Sequence, residues 1–409
     1  MANTFITPNW VSTDVAMNWK NAIRLIGQFD RGYGDEWQNK PEGAQVGYTV
    51  QQRIQQRWVV TEGQALQQQA ILNQTVPISL THQLQVGMGW SSADATVLVE
   101  EVQERYTKPA GAALGSKCDA LAGAEVYKSV YYTIGTPGVP ITANDTYTDG
   151  IAKLINVGVP DNDICAVLDP KAMSKIVSAN FAIFNLPGGD KPMRTGQFSG
   201  ENLGISAWYR DANMPTHTTG TFTTATPIIS GASQTGSTLT VSGMGTYAMV
   251  AGDTFKIDGV RAVNPVSYVD TGDLQEFTLT VAVAGTTTAT LTFTPAIITS
   301  GQLQTVTGSP ANSAAITWTG ATGTVSATMA ATASKQSLIF NPAAFAFVNA
   351  PLKSKLAGAV TGEIRDPDAK VSLRSVEQYN IQTDQMPTRI DMLVGNAAVL
   401  PYFALRAWS

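Results

Sequence analysis

The chain has 409 residues, of which 44% are hydrophobic and only 14% charged, with a net charge of -5. That length exceeds one ordinary core and predicts two or three domains, and the apolar content excludes a disordered chain. The acidic balance excludes the clustered basic footprint of a nucleic-acid binder. Charge is scarce against the usual value of about 25%, which leaves neutral polar surface suited to subunit contacts.

Two cysteines, Cys118 and Cys165, lie in apolar surroundings without metal-ligand spacing and read as buried thiols. No run of about 18 apolar residues predicts a membrane span. The opening MANTFITPNW lacks the basic and apolar regions of a secretion signal, so a reducing cytoplasm is expected.

Residues 1–44 read as an extended arm and then a helix. Ser12 or Thr13 can cap it, Val15, Trp19, Ile23 and Ile26 share one face, and Gly32, Gly34 and Pro41 end it. Residues 45–90 read as a long two-stranded excursion. Its return limb alternates Val76, Ile78, Leu80, His82, Leu84 and Val86 with Pro77, Ser79, Thr81, Gln83 and Gln85. Pro77 predicts an edge strand, and residues 64–74 form a Gln-rich tip. Such a hairpin has too little core to stand alone and is expected to pack on a neighbouring subunit.

Residues 91–143 carry the main helical segment. Ser91 and Asp94 resemble a capping box, and Ala95, Leu98, Val99, Val102 and Tyr106 form a stripe. Pro109 should kink or divide the helix, which resumes through Ala113, Leu114, Cys118 and Leu121 to about Tyr131. The small residues Ala110, Gly111, Ala112, Ala113 and Gly115 permit close approach of another backbone. Residues 144–220 read as α/β: a helix capped by Asp145 and running to about Val157, a strand from Ile164 to Leu168, and a helix started by Asp169-Pro170. A loop at Pro187-Gly188-Gly189 and a strand from Ile205 to Tyr209 follow.

Residues 221–333 are rich in Thr, Gly and Ala and read as all-β. The clearest stretch runs from Met249 to Pro265. Phe255 and Ile257 alternate with polar neighbours, Asp258-Gly259 predicts a hairpin turn, Val260 and Ala262 resume the alternation, and Pro265 marks the exit. Residues 334–409 return with a strand from Ser337 to Phe340, a helix started by Asn341-Pro342, and strands from Glu377 to Thr383, Arg389 to Val394 and Ala398 to Trp408. The fold class is α+β, a body split by a β insertion.

Catalytic patterns are scarce. The two histidines, His82 and His217, stand far apart and read as structural, His217 in a linker at a domain junction. No nucleophile elbow, phosphate loop or paired metal-ligand motif is present. Asp161-Asn162-Asp163 and Asp366-Pro367-Asp368 read as solvated turns rather than cation sites. Arg53 and Arg57 could meet phosphates, but ion pairs with an acidic neighbour are the better reading. Trp58, Trp90, Trp208, Trp318 and Trp408 suit core or interface packing. No catalytic residue, cofactor or metal is expected; the residues point to an assembly protein that is not an enzyme.

The segment Val250-Ala251-Gly252-Asp253-Thr254-Phe255-Lys256-Ile257-Asp258-Gly259-Val260 resembles the start of the inserted β-barrel in coat proteins related to that of the short-tailed Salmonella phage P-22. Gln275-Glu276-Phe277-Thr278-Leu279 follows at the distance of the next strand, and Thr290 to Pro295 resembles the one after. The resemblance implies the HK-97-like capsid fold: amino-terminal arm at 1–44, extended loop at 45–90, spine helix and peripheral domain at 91–143, apical domain from 144 to 220, inserted β-barrel at 221–333, and return through 334–409. It implies a major capsid protein of a tailed double-stranded DNA bacteriophage, a homo-oligomer of hexamers and pentamers in an icosahedral shell. A scaffolding protein and a portal are the implied assembly partners, with a decoration protein optional and no membrane. The chain would be made in the host cytoplasm and reside in the virion capsid. The alternative is another structural virion or surface-array protein, such as a tail tube, decoration or adhesin subunit. Arg53, Arg57, Trp58 and the exposed turn carrying Asp270 and Asp273 are the candidate inter-subunit contacts.

Overall fold

A computed structural model describes residues 8–38, 47–91, 103–179, 197–198, 201–323, 326–353, 356, 358–366 and 370–409. The chain divides into two compact units. One comprises Met1–Arg53, Thr75–Ala122 and Phe345–Val399; the other comprises Ile54–Gln74, Gly123–Ala344 and Leu400–Ser409.

The first unit begins with a helix over Pro8–Ala22, whose side chains Val15 and Trp19 are buried, as are Ile23 and Ile26 just beyond it. Ser12 and Thr13 do not cap this helix. Pro8 opens it one turn earlier, where a missing N–H costs nothing, and both hydroxyls donate back to the Asn9 carbonyl at 3.0 and 2.8 Å. A second helix spans Lys108–Val126 and follows a π-helical turn over Gln103–Thr107. Pro109 therefore sits in the first turn of the α-helix, which it tolerates, and the π-helical turn ends directly before that turn. The buried face is Ala110, Leu114, Cys118, Ala122 and Val126; Ala113 and Tyr106 are exposed. The helix ends at Val126 and a 3₁₀ turn over Tyr127–Ser129 follows, short of the expected Tyr131. The expected stripe from Ala95 to Val102, with Asp94, lies outside the described residues.

The predicted close approach is present. A Cβ on Gly111 would stand 2.7 Å from both the Asn18 Cβ and the Val15 carbonyl oxygen, so the two helices meet backbone to backbone. Buried Asp119 then holds the chain leaving the first helix, accepting the Arg24 N–H at 2.6 Å and the Ile26 N–H at 2.9 Å.

Among the described residues this unit holds a five-stranded sheet and a separate two-stranded one. The expected return limb is divided between them. Thr75–Ser79 pairs with Thr49–Arg53, placing Pro77 opposite Gln51 on an edge, whereas His82–Ser91 pairs with Gln385–Ala398 from His82↔Val394 to Ser91↔Gln385. The exchange occurs at two residues: Leu80 N–H donates to Tyr48 and Thr81 N–H to Val394. Alternation fixes which face is buried and is silent about which strand lies alongside. Val371–Glu377 and Val360–Asp366 complete the sheet with Phe345–Ala350. The strand expected from Glu377 to Thr383 is mostly a turn, in which Asn380 Oδ1 accepts the Gln382 N–H at 3.0 Å. In the sheet interior, fully buried Asp391 takes a two-pronged contact from Arg374 at 2.9 and 2.6 Å, with Arg389 and Gln83 each at 3.0 Å.

The second unit contains a six-stranded mixed sheet. Tyr132–Ile134, Ala404–Trp408, Ala333–Phe340, Cys165–Leu168 and Ala207–Arg210 lie in that spatial order, and Thr216–Thr218 also pairs with Ala333–Phe340. Helices Asn144–Asn156 and Pro170–Ala179 cover one face through Tyr147, Ile151, Leu154, Met173 and Ile176. Asp169 caps its helix as expected, accepting the Lys171 N–H at 3.0 Å. Asp145 does not: Ala143 holds the cap position and Asp145 lies in the first turn, where its charge still suits the helix dipole. The Pro187-Gly188-Gly189 loop lies outside the described residues. Asn341-Pro342 opens only a 3₁₀ turn, Pro342–Ala344, because Phe345 to Val348 form a buried β-branched and aromatic run that continues as strand.

Thr216–Thr218 and Ala333–Phe340 pair as Thr218↔Ala333, His217↔Ser334 and Thr216↔Lys335. Thr219 N–H donates to the Thr332 carbonyl at 3.1 Å and Thr332 N–H to Thr219 Oγ1 at 3.0 Å. The chain thus leaves this sheet and returns to it at one point. Between the two crossings runs an eight-stranded sheet whose central order is Thr254–Val263, Asp270–Leu279, Val283–Ile297 and Gly236–Met249. Ile228, whose strand pairs with Gly236–Met249, bridges to Ala315 beside the edge strand Ile316–Trp318, so that edge meets the far side of the sheet. Phe255 is the hub of its core, with the rings of Trp318, Phe277 and Phe293 at 4.9, 5.5 and 5.7 Å.

Asp258-Gly259 is a bulge and not a hairpin turn. Thr254–Val263 is one strand, Gly259 has φ +76°, and the register against Asp270–Leu279 slips between Lys256 and Arg261. Between Lys256 and Arg261 this strand advances five residues while its partner moves two, from Glu276 to Leu274, and an odd number of extra residues switches the inward positions from odd, Phe255 and Ile257, to even, Val260 and Ala262. Asp270 and Asp273 likewise belong to the strand Asp270–Leu279. The exposed turn lies just before it, at residues 264–269, with Val266 and Val269 outermost.

Candidate functional site: the anchor of the β module and the tip

Two charged clusters fasten the β module to the six-stranded sheet. Asp253, buried, accepts the Val250 N–H at 2.7 Å and the Gly220 N–H at 3.1 Å, and His217 Nε2 stands 2.9 Å from its Oδ1. The other imidazole nitrogen lies 3.2 Å from the Tyr127 hydroxyl, and the Trp408 ring packs edge-on at 5.6 Å. His217 is therefore an enclosed member of the junction and not an exposed linker residue. Arg406, fully buried, donates to the Gly252 carbonyl at 2.9 Å while its guanidinium lies over Trp408 and Tyr127, at 5.4 and 5.8 Å. Burial pulls that guanidinium down to about 10, opposed by Tyr127, Asp253 and Glu276.

Glu276 is the second anchor. It accepts the backbone N–H of Thr133, the Thr133 hydroxyl at 2.9 Å, Lys153 at 3.0 Å and Lys256 at 3.1 Å. A buried carboxylate with these four partners is satisfied, because two ammonium groups and two hydrogen-bond donors offset its loss of water. Sequence reasoning missed this set. Its signal was present: Glu276 and Arg406 are charged residues within strand runs that are buried throughout, Gln275–Leu279 and Ala404–Trp408.

The tip at residues 54–74 forms no strand. It carries large exposed apolar side chains, Val60 at 90%, Leu66 at 91% and Ile71 at 74%. Trp58 is 51% exposed, unlike Trp208, Trp318 and Trp408, which are buried; the Trp90 side chain lies outside the described residues. The Arg57 guanidinium stacks over Tyr402 at 5.1 Å, and among the described residues it meets no carboxylate. Arg53 is exposed at the end of its strand. Asp270 is exposed 3.9 Å from Arg261, and Asp273 is exposed nearby. The structure thus gathers Arg57 and Trp58 on the tip and Asp270 and Asp273 on the β module. Both thiols are buried, which pushes Cys118 and Cys165 up to about 12.

Residues 54–404 match the model of the P22 coat protein, gene protein 5, family. The chain belongs to the P22 coat protein family. It is a bacteriophage major capsid subunit, many copies of which form the shell that encloses the genome, and its role in the virion is structural. No curated protein matches the chain. Among solved structures, the coat subunit is similar to a chain from Mycobacterium phage Che8, at 12% identity and a TM-score of 0.46, covering 94% of this chain and 90% of that one. The capsid of cyanophage P-SCSP1u gives 12% identity and a TM-score of 0.42, covering 90% and 85%. The CUS-3 coat protein I-domain gives 26% identity and a TM-score of 0.18, covering 23% of this chain and 96% of that one. No described helix of the coat subunit is long and apolar enough to cross a membrane.

Proposed function

We propose that this coat subunit assembles as hexamers and pentamers of an icosahedral shell around double-stranded DNA, using an HK-97-like fold interrupted by an inserted domain at 221–333. The family match over residues 54–404 carries this reading. The pairing of Thr218 with Ala333, which brings the two ends of the β module together, supports the insertion. The tip lies on a second copy of the chain, where Val60, Leu66 and Ile71 lose the water they meet here. Arg53, Arg57, Trp58, Asp270 and Asp273 contribute inter-subunit contacts. Assembly takes place in the host cytoplasm with a scaffolding protein and a portal, a decoration protein can join the finished shell, and the subunit performs no catalysis.

Co-expression with the scaffolding protein of the same phage, followed by electron microscopy, tests this. Closed shells with a hexamer–pentamer lattice are expected. Open tubes would favour another virion protein, and a monomer at every concentration with scaffold supplied would sink the proposal.

A further inference from the structure

We infer that Gln302, in the turn after the Val283–Ile297 strand, is the positioning residue that fixes the pose of the tip. The tip lacks a backbone ladder, and two glutamine side chains replace it. Gln56 Oε1 accepts the Leu72 N–H at 3.0 Å. Gln69 Oε1 accepts the Val59 N–H at 3.0 Å, and its Nε2 donates to the Val59 carbonyl. A side-chain amide offers the same donor and acceptor as a peptide group, so each glutamine acts as one rung between the limbs.

Both rungs then meet one side chain from the β module. Gln56 Nε2 donates to Gln302 Oε1 at 3.3 Å, and Gln302 Nε2 donates to Gln69 Oε1 at 3.1 Å. Gln302 uses its acceptor for one limb and its donor for the other, a division that neither Asp nor Lys could supply. Its own backbone is held by the Tyr268 hydroxyl, which donates to the Gln302 carbonyl at 2.9 Å. The clasp is neutral throughout, so salt leaves it intact. It gives the Gln-rich composition of the tip a physical purpose: the β module sets where the tip points. That a second copy receives the tip rests on the function proposed above; the clasp itself does not.

Amide hydrogen exchange on the unassembled full-length chain tests the clasp. Gln302→Ala should speed exchange at Val59 and Leu72 by about tenfold, a typical worth for one or two hydrogen bonds, with the Gly236–Met249 strand unchanged. Gln302→Glu keeps the acceptor and loses the donor, so Val59 should be freed while Leu72 stays protected. Unchanged exchange at both amides in Gln302→Ala overturns the inference, as does acceleration shared by the Gly236–Met249 strand. Equal effects of Gln302→Glu on both amides overturn the division of roles. Light scattering with scaffold separates the two readings: slower shell formation by Gln302→Ala supports both. A loosened tip with unchanged assembly keeps the clasp and removes the tip from the subunit contact.

Discussion

The β module and the tip both belong to the second unit, and they hold their shapes in opposite ways. The module encloses its own core around Phe255, Phe277, Phe293 and Trp318 and is fastened by buried carboxylates at its root. The tip encloses nothing, leaves Val60, Leu66 and Ile71 in water, and holds its shape through amide side chains. The contrast follows from size. More than a hundred residues can bury enough apolar surface to offset their ordering entropy, and some twenty cannot.

The sharpest way to break that contrast is Phe255→Ala. Loss of a fully buried ring that touches three others should destabilise the module by about 3–5 kcal/mol, seen as a fall in the urea midpoint by tryptophan fluorescence. An unchanged midpoint would mean the module does not stand on its core. Asp253→Ala acts at the root instead. It strands the Val250 and Gly220 N–H groups and should cost about 1–3 kcal/mol. Proteolysis should find the two crossings near Thr219 and Thr332 before it finds the core strands; cleavage in the core first would show that the anchor and the core are one cooperative structure. The smallest effect belongs to the tip. Leu66→Ser should move the unfolding midpoint by no more than about 0.5 kcal/mol while slowing shell formation, and a large loss of stability would show a tip packed far more firmly than its exposure indicates.

Much of the fold was legible because it depends on local pattern. The face carrying Val15, Trp19, Ile23 and Ile26, the cap at Asp169 and the edge position of Pro77 all follow from spacing or turn chemistry. The candidate contacts were legible only as exposed positions, and Arg57 finding Tyr402 instead of a carboxylate needed a partner 345 residues away in the chain. Asp258-Gly259 differs from its hairpin expectation for a reason visible in the residues: a two-residue turn reverses the chain, whereas the switch from Ile257 to Val260 as inward neighbours records an odd number of extra residues in a strand that continues.

The sequence by itself determined which residues of most elements face inward and, through the stretch from Val250 to Val260, the family. Only the tertiary structure decided which strands lie side by side and which charges are enclosed. The return limb shows the first: one unbroken alternation is shared between Thr49–Arg53 and Gln385–Ala398. His217, Asp253, Glu276 and Arg406 show the second. Periodicity reports a residue's side of an element, a property of the backbone's own geometry. Pairing and charge enclosure depend on segments that local pattern does not connect, such as Arg406 with Gly252, and their meeting is settled by the burial of the whole unit.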